Sequence, residues 1–265
     1  MRYGLLAANV GSYSDPRGVV RLAETAESAG WDALLIWDHL AFVWGPPAAD
    51  PWVTLSAVGA VTSRLIIGTG ITPVPRRRPQ VLAHTVATLD VLTDGRVVFG
   101  GGLGGIPSEF SAFGENDDAH VRAEQLDEGL DLLRRLWAGE RVEHHGTHYT
   151  VDGVTLAPLP RQQPLPIWIG GNSRRALARA ARFDGWFADS SNPERMTISP
   201  DELAERIAGI GRGDDFDVIV HGYSDRAPPA AYARAGATWW LEDVHDTRGS
   251  YDELLALVAA GPPVS

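Results

Sequence analysis

Eight short apolar runs, each followed by a segment of helical periodicity, recur from one end of this chain to the other. The runs are Tyr3 to Ala8, Ala33 to Trp37, Leu65 to Thr69, Val97 to Gly100, Ile167 to Ile169, Trp186 to Ala188, Val218 to His221 and Thr238 to Leu241. None alternates apolar with polar residues, as a strand with one wet face would. Each reads as a strand buried on both faces, the kind found in parallel sheets covered by helices. The intervening segments carry helix signals: Asp15-Pro16 opens one and Gly30 closes it, Pro79 opens another, and Val121, Leu126, Leu130, Leu133 and Trp137 form a single apolar stripe. An irregular glycine-rich stretch, Gly101 to Asn116, and a hairpin over His144 to Leu156, turning at Asp152-Gly153, interrupt the alternation after the fourth strand. The pattern predicts an α/β fold, a (β/α)8 TIM barrel with an insertion and hairpin after strand 4, as one domain over residues 1–265. An open doubly wound sheet is the alternative, but no topological switch is evident.

Composition narrows the chemistry. All 23 basic residues are arginine, so Schiff-base chemistry, a P-loop lysine and a lysine base are excluded. Cysteine is absent, which removes thiol nucleophiles, disulfides and thiolate metal sites. A formal net charge of -11 leaves no basic stripe for nucleic acid. No secretory segment or long apolar stretch is present, so a soluble cytoplasmic protein with no membrane partner is expected.

Barrel chemistry belongs at the C-terminal ends of the strands. The second strand ends on Asp38-His39, a candidate acid–base pair; the plainer alternative is a turn cap beside a surface histidine. The third strand runs into Gly68-Thr69-Gly70-Ile71-Thr72-Pro73, where close approach to a ligand and a plain loop are both open. The fourth runs into Gly100 to Gly105, too dense in glycine for packing alone and read as a flexible loop against a planar ligand, with a lid that touches no ligand as the alternative. The fifth runs into Gly170-Gly171-Asn172-Ser173-Arg174, where two glycines and a helix start suit an anion, with arginine as the charge; an ordinary capped turn is the alternative. Arg76-Arg77-Arg78 reads as a solvated charge run before a helix, with attraction of an anionic cofactor tail as the alternative. His144, His145 and His148 lack a carboxylate at ligand spacing, so no metal site is expected. No Gly-x-Ser-x-Gly elbow exists for serine hydrolysis.

With these pieces placed, the chain resembles the bacterial luciferase-like monooxygenase family of flavin- and deazaflavin-dependent oxidoreductases. The resemblance rests on AESAGWDALLIWDHL (26–40), SRLIIGTGITPVPRRRP (63–79), ATLDVLTDGRVVFGGGLG (87–104), SEFSAFG (108–114), LLRRLWAGERVEHHGTHY (132–149) and PIWIGGNSRRALARAARFDGWF (166–187). It implies His39 as the proton donor or acceptor, with Asp38 beside the reactive edge of a tricyclic ring. It implies a non-prolyl cis or strained peptide at Gly70–Ile71, facing the ring. Gly102, Leu103, Gly104 and Gly105 would line the ring, and Gly170, Gly171, Asn172, Ser173 and Arg174 would hold the phosphate. Phe42 and Trp44 would wall the substrate. Several deazaflavin dehydrogenases of the family carry an acidic residue where this chain has Gly105. The Asp-His pair resembles the deazaflavin users, so the implied cofactor is coenzyme F-420 ahead of FMN, and the implied reaction is hydride transfer. An FMN-dependent oxygen insertion, a non-catalytic flavin-binding barrel and a metal-assisted hydrolase built on His39 and His221 are the alternatives. A homodimer through outer barrel helices is a further implication of the family.

Overall fold

The computed structural model describes residues 1–263; residues 264 and 265 of the expected 1–265 domain lie outside the described residues. Eight parallel strands close into a barrel: β1 (Arg2–Ala7), β2 (Ala33–Ile36), β3 (Ile66–Thr69), β4 (Val97–Gly102), β5 (Ile167–Gly170), β6 (Gly185–Phe187), β7 (Asp217–Gly222) and β8 (Trp239–Val244). Each pairs with its neighbour in sequence, and β1 pairs with β8, so no sheet edge is left. Why the runs lack alternation is visible in β2. Ala33 and Leu35 pack inside the barrel with Leu6, Val98, Trp168, Phe187, Ile219, Trp239 and Leu241. Leu34 and Ile36 pack outward against the helices. Both faces are dry, so both need apolar side chains.

The helices are α1 (Pro16–Ser28), α2 (Pro51–Val61), α3 (Pro79–Leu92), α4 (Ala119–Trp137), α5 (Arg174–Ala180), α6 (Pro200–Ile210), α7 (Pro229–Arg234) and α8 (Tyr251–Ala259). Their starts follow the sequence signals. Asp15, Asp50, Asp118 and Ser173 accept hydrogen bonds from first-turn amides, and Ser199 and Ser250 form capping boxes with Glu202 and Glu253.

Three local expectations change. The hairpin joins Val142–His145 to Thr150–Val154, so it turns over residues 146–149, not at Asp152-Gly153. Gly153, at φ 65°, sits where the pairing register shifts by one residue. A bulge uses the same left-handed glycine as a turn, and the sequence signal for the two is shared. Within the stretch read as irregular, Gly101 and Gly102 continue β4, and Ser108–Ser111 forms a single helical turn. Finally, β8 runs past Leu241 and buries Glu242 and Asp243.

Candidate active site

The C-terminal mouth of the barrel opens into a cavity of about 540 Å³, within the range of small-molecule sites. Its wall has two halves. The ends of β3, β4 and β5 contribute Gly70, Ile71, Leu103, Gly104, Gly105, Ile106, Gly170 and Gly171, a surface of backbone and aliphatic groups. The ends of β6, β7, β8 and β2 contribute Phe187, Asp189, Ser191, His221, Tyr223, Asp243, His245, Trp37, Asp38 and His39.

The glycine half is tightly packed behind its face. A Cβ on Gly102 or Gly170 would run into Ile71 Cδ1, and one on Gly70 would meet Leu6 Cδ1 at 2.6 Å. The Gly70–Ile71 peptide is cis, the geometry expected there. Beyond the strand, Gly104 takes φ 85° and its carbonyl accepts from Arg122 Nη1 at 2.7 Å. Arg122 also lies over the Phe110 ring at 4.7 Å. The segment expected to be a flexible loop is therefore tied to α4. A Cβ on Gly105 would meet nothing within 4 Å, so that residue faces open space.

At the end of β2, His39 is held by a buried ionic frame. Its Nδ1 lies 3.0 Å from Glu109 Oε1, which also accepts from the Leu40 amide at 2.6 Å. Arg76 bridges the two carboxylates behind it, with Nη1 on Glu109 and Nη2 on Asp38, each at 2.5 Å. Arg77 and the Thr72 hydroxyl complete the shell of Asp38 at 2.8 Å each. The Asp38 and Glu109 side chains have no exposure, and that of Arg76 has 5%. Arg76 and Arg77 are thus anchors, not a solvated charge run. A carboxylate only accepts, so His39 Nδ1 carries the hydrogen and Nε2 keeps a lone pair. Trp37 and Trp44 meet the imidazole edge-on, at 5.9 and 5.8 Å between centroids.

The rest of the polar half comes from β7 and β8. His221 Nδ1 lies 3.0 Å from Asp243 Oδ1, and Tyr223 Oη lies 2.9 Å from His245 Nε2. Thr247 Oγ1 meets His245 Nδ1 at 2.7 Å, and the Trp37 ring lies 5.5 Å from that of His245. Burial pushes the Tyr223 phenol up to about 12, and burial holds His245 below the ordinary histidine value. A continuous run of side chains therefore joins His39, through Trp37 and His245, to Tyr223.

A model of the family described as luciferase-like monooxygenase matches residues 1–257. The chain belongs to that family. It is an oxidoreductase of that family. Among its relatives, an F420-dependent glucose-6-phosphate dehydrogenase of Microbacterium testaceum (strain StLB037) is 37% identical over 231 residues, 83% of this chain and 67% of that one. Two solved structures share the fold: an F420-dependent secondary alcohol dehydrogenase in complex with an F420-acetone adduct (18% identity, TM-score 0.78, 97% of each chain) and a monooxygenase from Streptomyces bottropensis (23% identity, TM-score 0.76, 97% of this chain and 96% of that one).

For this luciferase-like barrel, the structure brings Asp38, His39, Gly70, Ile71, Leu103, Gly104, Gly105, Gly170 and Gly171 around one cavity. Gly102 lies behind Ile71. The Asn172 amide clamps the next loop through the Asp189 main chain, at 2.7 and 3.1 Å. Ser173 caps α5 and Arg174 lines a groove between α5 and α6. Phe42 and Trp44 stand outside the lining, 54% and 46% exposed, with Phe42 against Phe113. His144 and His148 pair with Glu128 and Glu124 of α4. Among the described residues, no group of three His, Asp or Glu side chains is arranged to hold a metal ion, and none of their helices is long and apolar enough to cross a membrane. Sequence reasoning missed Glu109, Ser191, Tyr223, Asp243 and His245, and gave Arg76 and Arg77 the wrong surroundings. For Asp243 and His245 the strand-end signal existed, hidden by ending the eighth strand at Leu241.

Proposed function

We propose that this protein transfers hydride between the deazaflavin coenzyme F-420 and a small organic substrate, with His39 managing a proton. The observation that carries this reading is the division of the cavity. One half is backbone and aliphatic, suited to close contact with a flat ring. The other half presents imidazoles to whatever reacts beside it. Ile71, Leu103, Gly104 and Gly105 would pack against the ring, and Gly170, Gly171, Asn172, Ser173 and Arg174 would hold its phosphate at the start of α5. When bound, the deazaflavin supplies a ring carbon that accepts or donates hydride. His39 Nε2 accepts or returns a proton, and the Arg76 frame keeps that nitrogen aimed. Asp38 acts in this reading through Arg76, Arg77 and Thr72. Phe42 and Trp44 flank the entrance for substrate. The F420-dependent relatives favour the deazaflavin over FMN. In the same reading the chain pairs with a second copy through outer helices, where Val53 and Val61 of α2 and Val81 and Leu92 of α3 are exposed.

Fluorescence titration of the purified protein with the deazaflavin and, separately, with FMN tests the cofactor. Binding of the deazaflavin alone, or far more tightly, is expected. FMN binding with oxygen consumption and no deazaflavin binding would overturn the choice. Ser173→Asp should retain the helix cap, because aspartate caps as well as serine. It should weaken cofactor binding roughly tenfold or more by placing a carboxylate at the phosphate. Unchanged affinity would move the phosphate to another part of the barrel.

A further inference from the structure

A second imidazole in the cavity has no part in the role given to His39. His221 lies near the end of β7, its ring tilted 34° against that of Phe187 at 5.5 Å between centroids. Its Nδ1 lies 3.0 and 3.1 Å from the two Asp243 oxygens. The Ser191 hydroxyl donates to Asp243 Oδ2 at 2.5 Å and stands 3.1 Å from the same Nδ1. Because Asp243 accepts, Nδ1 carries the hydrogen, and Nε2 is the working nitrogen. That nitrogen is provided for in both charge states. The Ser190 amide donates to its lone pair at 3.3 Å, and Asp189 Oδ1 lies 4.0 Å away to meet the protonated form.

The two imidazoles differ in their partners. Glu109, behind His39, is already paired with Arg76. Asp243 takes no arginine on its carboxylate; Arg248 reaches only its main-chain oxygen, at 2.6 Å, and spends its other nitrogen on Glu242 and Asp225. The remaining groups facing His221 are Tyr223 from its own strand end, His245 from β8 and Asp189 from the loop after β6. Burial opposes protonation of His221, and Asp243, with Asp189 behind it, outweighs burial, so its pKa is raised. Its carboxylate partner is not shared with an arginine side chain, whereas that of His39 is.

Oxidation of an alcohol by hydride transfer breaks a C–H bond, sending hydrogen and both electrons to the cofactor ring. It also breaks the O–H bond, forms C=O and releases a proton to a base, while an acid gives a proton to the ring, so that overall the alcohol's hydride and proton are matched by those the ring gains. Two proton transfers are involved, and His221 stands in the cavity with His39. When Nε2 acts as a base, the substrate hydroxyl takes the place of the long Ser190 amide contact, whereas His245 has both nitrogens bonded to Tyr223 and Thr247. Among the described residues lining it, none is arginine, whereas Asp38, Asp189 and Asp243 all are there. Asp38 is neutralised by Arg76 and Arg77, but a phosphorylated substrate would still lie against Asp189 and Asp243 with no arginine in the wall to meet it.

We propose that His221, oriented by Asp243 and Ser191, is a second catalytic acid–base group of this cavity, and that the oxygen it serves belongs to an uncharged secondary alcohol or its ketone. This rests on the hydride-transfer reading above, in which His39 is the other acid–base group.

Two measurements test it. In ¹⁵N-imidazole NMR of the full chain without cofactor, with the His221 signal identified by its loss in His221→Gln, His221 should titrate above the usual value of about 6.5. Asp243→Asn should bring it to or below that value. Asp189→Asn, a change on an exposed side chain, should lower it by a smaller step and serves if Asp243→Asn does not fold. In the deazaflavin-loaded protein, 2-propanol and cyclohexanol should reduce the cofactor and glucose 6-phosphate should not. His221→Gln should slow that reduction about 10²–10³-fold with cofactor affinity retained. His221 must be unprotonated to accept, so the rate falls as pH drops through its pKa, and that limb should move to lower pH in Asp243→Asn or Asp189→Asn. A His221 that does not titrate, or is indifferent to both carboxylates, overturns the proposal. So does a parental rate in His221→Gln, or a loaded protein that reduces no alcohol. Failure to bind the deazaflavin defeats the hydride-transfer reading instead, and the NMR titration still judges the dyad.

Discussion

His39→Ala is expected to lower the turnover of the cofactor-saturated protein by ~10²–10⁴, on the order of 3–5 kcal/mol of barrier. A single positioned acid or base contributes about that much, and here the positioning is built in. Glu109 holds Nδ1, the Asn9 side chain accepts from the His39 amide at 3.2 Å and donates to its carbonyl at 2.9 Å, and two tryptophan edges confine the ring. Cofactor affinity should change much less, because the flat-ring half of the cavity is on β3, β4 and β5. Rapid mixing of loaded His39→Ala protein with the alcohol series separates the two effects. Parental rates at saturating cofactor would make His39 a wall residue, with the proton coming from solvent or from the substrate itself.

The second large effect is on stability. Arg76→Met should cost about 3–5 kcal/mol, because it strips the common counter-charge from two fully buried carboxylates. Asp38 retains Arg77 and Thr72, but Glu109 retains only an amide and the His39 ring. Arg76→Lys keeps a positive charge and loses the planar fork that reaches both carboxylates at once, so it should recover only part of the loss. Urea unfolding of the three proteins measures this. Stability of Arg76→Met within about 1 kcal/mol of the parent would show that the frame is not an ionic unit.

The frame also shows where sequence reading stops. Arg76-Arg77-Arg78 has the composition of an exposed charge run, and no local rule distinguishes a solvated arginine from one that bridges two buried acids. The deciding partner, Glu109, is 33 residues away from Arg76 along the chain, on a helical turn inside a glycine-rich stretch. The Asp152-Gly153 pair carries the same lesson at shorter range. Glycine with positive φ serves a turn and a bulge alike, and the partner strand decides which one forms.

The order of short, doubly apolar strands and capped helices was legible without coordinates. Burial on both faces of a parallel barrel leaves its mark on every residue of a strand, and caps act within four residues. The glycines at the ends of β3, β4 and β5 were legible for the same reason, as was His39 at the end of β2. The Asp243–His221–Ser191 cluster was not. Its members come from three separate strand ends, up to 52 residues apart, and meet only because the barrel closes. Strand endings are set by local pattern. Which strand ends face one another across a cavity, and which charges neutralise which, is set by closure of the sheet, and that is a property of the tertiary structure alone.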